Sequence, residues 1–380
     1  MIPDARQVFS ISQRPTVSGS LPDGTVVSSN SARYHRAHSG DTSGWQLLSG
    51  RLPGTVRHDT GDTMNAVFAH LPVMLDQITN VFSDMNDGVF LDATLGGAGH
   101  STAILTAHPQ LSLLGIDQDD MALESAEQVL AAAGCGGRVA LRRARFDAAA
   151  LIAAKEGIGA LSGALFDLGV SSPQFDIAER GFSYRFDAPL DMRMDRSQTL
   201  SADVIVNTYD EDALTGMLRR NADERHAYRI AKAIIAARPI HSTVRLSDVV
   251  SSAIPAPARR RGGHPAKRTF QAIRIEVNAE LEILPGALRN VISLLAPGAR
   301  LAVLSYHSGE DRIVKAVMRS AETGDCDCPP NLPCGCGAAR TVVRVRAPRD
   351  ASKEELAINP RSSSARLRVV EKLEVIDRAL

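Results

Sequence analysis

Residues suited to holding a small molecule through backbone contacts cluster near position 96. The apolar run Phe90-Leu91-Asp92 leads into Gly96-Gly97-Ala98-Gly99 and then into a helix-compatible run from Ser101 to Ala107. Glycines at such a turn let backbone N–H groups approach a ligand, because no Cβ stands in the way. A second apolar run ends at Asp117, where a Rossmann-type sheet places an acidic residue that accepts hydrogen bonds from ribose. These features predict a site for a nucleoside-containing cofactor.

The spacing of the glycines narrows the choice of cofactor. Residues 96 to 99 do not follow the G-x-G-x-x-G spacing that fits a pyrophosphate. This favours S-adenosylmethionine over a dinucleotide, so a nicotinamide-dependent dehydrogenase is the disfavoured alternative. A tight strand-to-helix turn without a ligand is the structural alternative.

Two further positions follow predicted strands at the same edge of the sheet. Phe146 follows the third strand, where its ring either stacks on an adenine or packs in the core. Asp167 ends the fourth strand and precedes Ser171-Ser172-Pro173-Gln174. Ligands of open α/β sheets bind beyond the carboxyl ends of the strands. We therefore expect Asp167 and the following segment to face the cofactor or to grip a reacting amine.

The fold class follows from the alternation of short apolar runs with helical patterns. Strands are predicted at Val89–Asp92, Ser112–Ile116, Arg138–Leu141, Gly163–Phe166 and Leu301–Ser305, with helices such as Met121–Ala133 between them. This pattern predicts an α/β fold with a doubly wound parallel sheet.

Between Gly181 and Leu301 the pattern is mostly helical, with one helix predicted from Ala222 to Ala237 and another from about Asn278 to Leu295. So long an interval indicates an inserted domain, because structureless loops of this length are rare. The last segment, from Arg366 to Glu374, alternates like an edge strand.

The predicted organisation has four parts. Residues 1–62 form a disordered extension, residues 63–180 the first part of the cofactor domain, residues 181–282 an inserted helical domain, and residues 283–380 the second part of the cofactor domain. The extension is predicted from its abundance of Ser, Thr, Gly, Arg and Asp without periodicity.

The segment from Leu165 to Asp195 closely resembles the bacterial ribosomal RNA small-subunit methyltransferase H family. Further similar runs are His70–Leu75, His264–Arg274 and Ser305–Lys315, and the resemblance extends from about residue 69 to the C-terminus. It implies a Rossmann-like class I methyltransferase that transfers a methyl group from S-adenosylmethionine to N4 of one cytidine in 16S ribosomal RNA. The cofactor contacts that it implies are Ala98, Gly99, His100, Asp117, Phe146, Asp167 and Gln174.

The chain departs from the family pattern at two positions. Ala98 stands where the family usually has Gly, and a backbone contact survives that change if φ stays negative. Gly309 stands where the family usually has Leu, which we expect to loosen the loop after the last core strand. No catalytic residue is assigned, and His307 is either a proton acceptor or a structural hydrogen-bonding residue.

Two basic clusters in the helical interval predict contacts with RNA phosphates. The first is expected on one helical face and comprises Arg219, Arg220, Arg225, Arg229 and Lys232. The second comprises Arg259, Arg260, Arg261, His264, Lys267, Arg268 and Arg274. Phe182 and Tyr184 are expected to stack on unpaired bases. A solvated charged surface is the alternative, and a non-catalytic RNA-binding or assembly factor is the remaining alternative function.

Composition adds weaker constraints. The net charge is zero, which argues neither for nor against nucleic acid as a partner. No apolar run approaches the ~20 residues of a membrane helix, and no secretory signal is apparent, so we expect a cytoplasmic protein. The expected partner is the small ribosomal subunit, with a homodimer left open.

Four of the five cysteines lie close together, at positions 326, 328, 334 and 336. Because the C-x-C spacing is tighter than the usual zinc knuckle, a reduced surface loop is favoured over structural zinc, and no metal ligand is assigned.

Overall fold

The computed structural model describes residues 71–170, 174–175, 177–260, 263–329 and 335–374. The predicted extension, residues 1–62, lies outside this part of the chain. So do several residues of the sequence motifs, namely His70, Ser171, Ser172, Pro173, Asp176, Arg261 and Cys334.

Seven strands among the described residues form one sheet. Strands β1 to β7 span Gly88–Asp92, Leu111–Asp117, Val139–Arg143, Leu161–Asp167, Leu295–Ser305, Val342–Arg344 and Arg366–Lys372. Their order across the sheet is β3-β2-β1-β4-β5-β7-β6. Strands β1 to β5 run parallel to one another, whereas β7 is antiparallel to both β5 and β6. The predicted Rossmann-like α/β class is confirmed.

The prediction that the last strand lies at the edge of the sheet is wrong. One side of β7 pairs with β5 from Arg300↔Glu371 to Ser305↔Arg366. The other side pairs with β6, whose three residues are too few to show a strand pattern in the sequence.

Helices cover both faces of the sheet and fill the interval between β4 and β5. Helices α1 to α13 span Leu75–Val81, Gly99–Ala107, Asp120–Ala132, Ala149–Lys155, Ala202–Thr208, Glu211–Ala222, Ala227–Ala236, Thr243–Ala253, Ala256–Arg259, Lys267–Asn278, Glu280–Leu294, Ser308–Thr323 and Lys353–Ile358. The helix predicted to begin at Ala222 begins instead at Ala227, because Asp223 adopts a left-handed φ of 47° that ends α6. None of the described helices has the length and apolar character needed to cross a bilayer.

Alternate side chains of the central strands pack against different helices, as the period of two of a β-strand requires. Phe90 and Leu113 point into a core that they share with α1, α2 and α3. Their neighbours Leu91 and Leu114 point into a core shared with α4, α11 and α12. The strands are therefore buried on both faces, which explains their continuous apolar runs.

Helices α5 to α8 and α10 pack around a hydrophobic core of their own. It contains fully buried side chains from successive helices, including Ile205, Met217, Ile230 and Leu246. The apolar faces of these amphipathic helices are therefore buried against one another, within the interval between β4 and β5.

Arg180 ties the segment after β4 to the sheet. Its Nη1 lies 2.8 Å from Oδ2 of Asp119, and both side chains are almost fully buried. Its Nη2 donates to the carbonyl oxygens of Arg193 and Met194 at 3.0 and 3.2 Å. Asp119 follows β2 and caps α3 through the Met121 amide, so this ion pair joins the sheet edge to the segment that leads into the helices.

We predict that Arg180→Met destabilises the protein by about 3–5 kcal/mol, because it leaves the buried Asp119 carboxylate without its cation. The free energy of unfolding from urea denaturation is the measurement. Arg312→Ala is the matched control, since its ion pair with Asp223 is exposed and is expected to contribute less than about 1 kcal/mol. Equal losses in the two variants would contradict the anchoring role of Arg180.

Candidate cofactor site

Three aspartates end neighbouring parallel strands at one edge of the sheet. Asp92 ends β1, Asp117 ends β2 and Asp167 ends β4. The sequence predicted site roles for Asp117 and Asp167 but not for Asp92. Asp92 carries the same signal as Asp167, because each ends an apolar strand.

Asp117 holds the glycine loop against the sheet. Its Oδ2 accepts a hydrogen bond from the Gly96 amide at 2.9 Å, and its Oδ1 accepts one from the Asp119 amide at 2.9 Å. Burial raises the pKa of Asp117 to about 6, although these two hydrogen bonds act in the opposite direction. The carboxylate is thus fixed between the first and second strand-to-helix turns.

The glycine loop requires left-handed backbone at two residues. Gly96 has φ 49° and Ala98 has φ 59°. The condition stated for Ala98, a negative φ, is therefore not met, because this residue is the N-cap of α2 and its amide turns back to donate to the Leu95 carbonyl at 2.8 Å. A left-handed conformation costs an L-residue about 1–2 kcal/mol, which accounts for glycine being the usual residue at this position of the family.

The remaining glycines of the loop have different surroundings. A Cβ on Gly97 would meet no atom within 4 Å, whereas a Cβ on Gly99 would lie 2.4 Å from Cγ of Pro72. Gly99 therefore allows the first turn of α2 to pack against the segment before α1, and Gly97 leaves the outer side of the loop open.

His100 connects that segment to Asp167. The buried imidazole has Nε2 2.9 Å from the Val73 carbonyl oxygen and Nδ1 3.6 Å from Oδ2 of Asp167. The hydroxyl of Tyr306 donates to Oδ1 of Asp167 at 2.6 Å. Burial raises the pKa of Asp167, while His100 and Tyr306 lower it. Two of the predicted residues, His100 and Asp167, thus meet, together with Tyr306, to which the sequence assigned no role.

Asp92 lies behind this group and is almost fully buried. Ser101 donates its hydroxyl to Oδ2 at 2.6 Å, and the Thr94 amide donates to Oδ1 at 3.2 Å. Burial is the main cause that raises the pKa of Asp92, and the neighbouring Asp167 charge adds to it.

The other two predicted residues lie at separate points of the same edge. Phe146 follows β3 and is buried, with its ring edge-to-face on Phe166 at 5.8 Å between centroids. Gln174 is buried and donates from Nε2 to Oδ2 of Asp119 at 2.9 Å. Phe146 is thereby packed against β4, and Gln174 is tied to the turn that follows β2.

His307 is the N-cap of α12. Its Nδ1 accepts from the Gly309 and Glu310 amides at 3.2 and 3.4 Å, and its Nε2 lies 3.1 Å from Oε1 of Glu310. Glu310 returns the contact by accepting from the His307 amide, which completes a capping box. Gly309 therefore lies in the first turn of a helix, and the expected loosened loop is not found there.

The edge described above suits a cationic adenosine derivative. The buried Asp92 and the half-buried Asp117 and Asp167 offer acceptors for hydroxyl and ammonium groups, and they favour positive charge nearby. Beside Asp117, the buried Oε1 of Gln118 has no hydrogen-bond partner among the described residues, so it can accept from a ligand N–H or O–H. The residues present therefore fit S-adenosylmethionine.

We predict that Asp92→Asn gains stability relative to the wild type as the pH rises from about 4 to about 7. A raised folded-state pKa stabilises the folded protein at low pH, and that contribution is lost as the pH rises through the folded pKa. The variant lacks this titration, so the difference in unfolding free energy should grow by about 1–3 kcal/mol. Urea denaturation at several pH values measures it, with the exposed Asp84→Asn as control. A difference independent of pH would contradict the burial argument.

Most of the chain is similar to known proteins. The model of the MraW methylase family matches residues 67–373. The Ribosomal RNA small subunit methyltransferase H of Symbiobacterium thermophilum is 48% identical over 318 residues, covering 82% of this chain and 99% of that protein. The protein of the same name from Thermobifida fusca is 48% identical over 312 residues, covering 80% of this chain and 93% of that protein.

A solved structure titled as a putative rRNA-methylase from Clostridium thermocellum covers 80% of this chain and 100% of its own, at 12% identity and a TM-score of 0.38. That similarity is too low to support an argument about the site. The assignment depends instead on the family match and on the close relatives, and by these the chain belongs to the MraW methylase family.

Proposed function

We propose that this chain transfers a methyl group from S-adenosylmethionine to N4 of one cytidine in the 16S RNA of the small ribosomal subunit. Membership of the MraW methylase family and the name shared by the close relatives support this function. The observation that carries it in the structure is the edge at which Asp117 holds the glycine loop, next to the Gln118 oxygen that has no hydrogen-bond partner in the described part of the chain. As an enzyme acting on ribosomal subunits, the protein works in the cytoplasm, and a homodimer stays a prediction.

The residues proposed to contact the cofactor are the predicted ones together with Asp92 behind them. Asp117 accepts hydrogen bonds from the ribose, the loop at Ala98 and Gly99 offers backbone groups, and Phe146 borders the base. The remaining contacts are His100, Asp167 and Gln174. Gln174 and Asp119 form a buried pair next to Asp117, which fixes the turn on which the ribose depends.

When bound, the cofactor supplies an electrophilic methyl group. The cytosine amine is a poor nucleophile because its lone pair is conjugated with the ring, so the protein must hold it about 3–3.5 Å from the methyl carbon. Asp167 is suited to this task, because its carboxylate accepts from an amine N–H and thereby directs the lone pair. Tyr306 and His100 fix the carboxylate in position.

The proton that the amine loses needs an acceptor. Nδ1 of His307 already accepts two helix amides and Nε2 faces Glu310, so His307 acts as a structural cap in this proposal. Asp167 is the better candidate, since burial raises its pKa and so makes it more basic than an exposed carboxylate.

The helical interval, residues 181–282 in the predicted organisation, is proposed to bind the RNA. A cavity of about 520 Å³ is lined there by Tyr184, Arg185, Gly263, His264 and Lys267. The rings of Tyr184 and His264 are stacked, with centroids 4.2 Å apart and planes at 13°. Flat rings beside two cations suit a nucleic-acid segment, because bases stack on the rings and phosphates pair with the cations.

Some residues predicted to contact RNA have other partners. Phe182 is buried in the helical core, so it is not available for stacking on a base. Arg274 is paired with Glu280 through two hydrogen bonds of 2.9 Å and is largely buried. Phe182 therefore stabilises the helical core. Arg274 is held by Glu280, because the turn between α10 and α11 places the two residues side by side.

The first basic cluster is divided between two helices. Arg219 and Arg220 end α6, whereas Arg229 and Lys232 lie on α7. The expectation of one helical face is therefore wrong. Arg220 is further paired with Glu276 at 2.9 Å, which leaves the cavity beside Tyr184 as the better-supported RNA contact.

We predict that the purified protein transfers tritiated methyl groups to small ribosomal subunits lacking the modification, and that nucleoside digestion yields N4-methylcytidine. Asp117→Asn should raise the Kd for S-adenosylmethionine by about 10- to 100-fold, because one charged acceptor is lost. Calorimetry measures that Kd, and the exposed neighbour Asp120→Asn is the control.

Label in another nucleoside would overturn the substrate assignment. Absence of transfer with intact cofactor binding would favour the assembly-factor alternative, and binding of a nicotinamide dinucleotide instead would favour the dehydrogenase.

We predict that Arg185→Ala combined with Lys267→Ala weakens RNA binding and lowers the slope of log K against log salt by about 1.4–1.8, because each neutralised phosphate contributes about 0.7–0.9. Filter binding with small subunits or their RNA at several salt concentrations measures the slope. Lys155→Ala combined with Arg289→Ala removes two exposed charges elsewhere and should leave it unchanged. A slope equal to that of the wild type would exclude the cavity from the RNA interface.

A further inference from the structure

The segment between α12 and β6 forms a closed excursion from the domain. It starts at Gly324, which caps α12 with a left-handed φ of 62°, and a Cβ there would lie 2.7 Å from the Ala339 carbonyl oxygen. Just beyond, the Thr341 amide donates to the Ala321 carbonyl at 2.9 Å. The two ends of the excursion are therefore in contact.

The composition of this excursion cannot provide a hydrophobic core. Residues 324–339 contain four cysteines, three prolines and a single large apolar residue, Leu332. Small units that bury little apolar surface are usually stabilised by disulfides or by a metal ion. Since this protein is proposed to work in the reducing cytoplasm, a metal ion is the better candidate.

Three cysteine side chains of the excursion converge. The Sγ atoms of Cys326, Cys328 and Cys336 all lie within 4.8 Å of one another, and those of Cys326 and Cys336 are 3.5 Å apart. Thiolates that share a tetrahedral Zn²⁺ at about 2.3 Å are about 3.8 Å apart, whereas a disulfide joins its sulfurs at about 2.05 Å. The Sγ–Sγ distance of 3.5 Å between Cys326 and Cys336 is close to the spacing around a shared ion and much longer than a disulfide bond.

The three converging cysteines come from two different parts of the segment. Cys326 and Cys328 lie on the outgoing arm of the excursion, whereas Cys336 lies on the returning arm. The C-x-C spacing therefore describes only Cys326 and Cys328. Cys336 is brought next to them by the folding of the segment.

We propose that Cys326, Cys328 and Cys336 bind a structural Zn²⁺ ion that closes the excursion. Thiolate ligands favour zinc over the oxygen-seeking cations, and zinc supports no redox reaction of its own. On binding, each thiol releases its proton to solvent, and a further donor or water completes the tetrahedral shell. The site stabilises the connection from α12 to β6, and its existence does not depend on the proposed methyl transfer.

The test is the metal content of the full-length protein, purified without chelator from cells grown with zinc. Mass spectrometry of the metal should give one zinc ion per chain. Cys328→Ser should lose it, with a Kd for Zn²⁺ raised on the order of 100-fold or more. Cys135→Ser makes the same chemical change at the remaining described cysteine, which is buried beside α3, and should keep the metal.

Two measurements keep the test decisive if the variant folds poorly. Zinc replaced by Co²⁺ in the wild type should give the charge-transfer absorption of a cobalt thiolate. A mercurial reagent added to the wild type should release zinc to an indicator dye while the helical circular dichroism persists. Zinc in the wild type no higher than in Cys328→Ser, absence of the thiolate bands, or a disulfide found in freshly lysed cells would each overturn the proposal.

Discussion

Parallel pairing of the central strands is the constraint on which the site depends. Because β1, β2 and β4 run in the same direction, their carboxyl ends reach one edge, and each ends there with an aspartate. Strand β5 also pairs parallel with β4 and delivers Tyr306 to the same edge, where its hydroxyl contacts Asp167. Residues more than 200 positions apart in the chain, Asp92 and Tyr306, thus belong to one site.

Placing several carboxylates together at one largely buried edge is unfavourable unless each accepts hydrogen bonds that offset its lost hydration. Asp92 accepts from Ser101, Asp117 accepts from two backbone amides, and Asp167 accepts from Tyr306 beside His100. These donors lie on the loops and helices that follow the strands, so the compensation also orders the loops. Burial raises the pKa of all three carboxyl groups despite these donors, and a cationic ligand at this edge would favour their charged form.

Asp119 couples this edge to the helical part of the chain. It caps α3 two residues after Asp117, and its carboxylate is shared by Gln174 and Arg180. Arg180 in turn holds the backbone of Met194, whose amide donates to the buried Asn278 at the end of α10. One buried polar network thus connects the turn after β2, which is proposed to bind the ribose, to the helical part of the chain, which is proposed to bind the RNA.

Local pattern in the sequence was sufficient for the strand and helix alternation, the turn at residues 96–99 and the acidic ends at Asp117 and Asp167, because periodicity and turn chemistry are properties of neighbouring residues. Contacts between distant segments decided the rest. The interior position of β7, the pairing of Arg274 with Glu280 and the meeting of Cys336 with Cys326 all depend on a partner that sequence spacing does not reveal. Only the folded chain sets those distances, since burial and non-local pairing determine which conformation each residue must adopt.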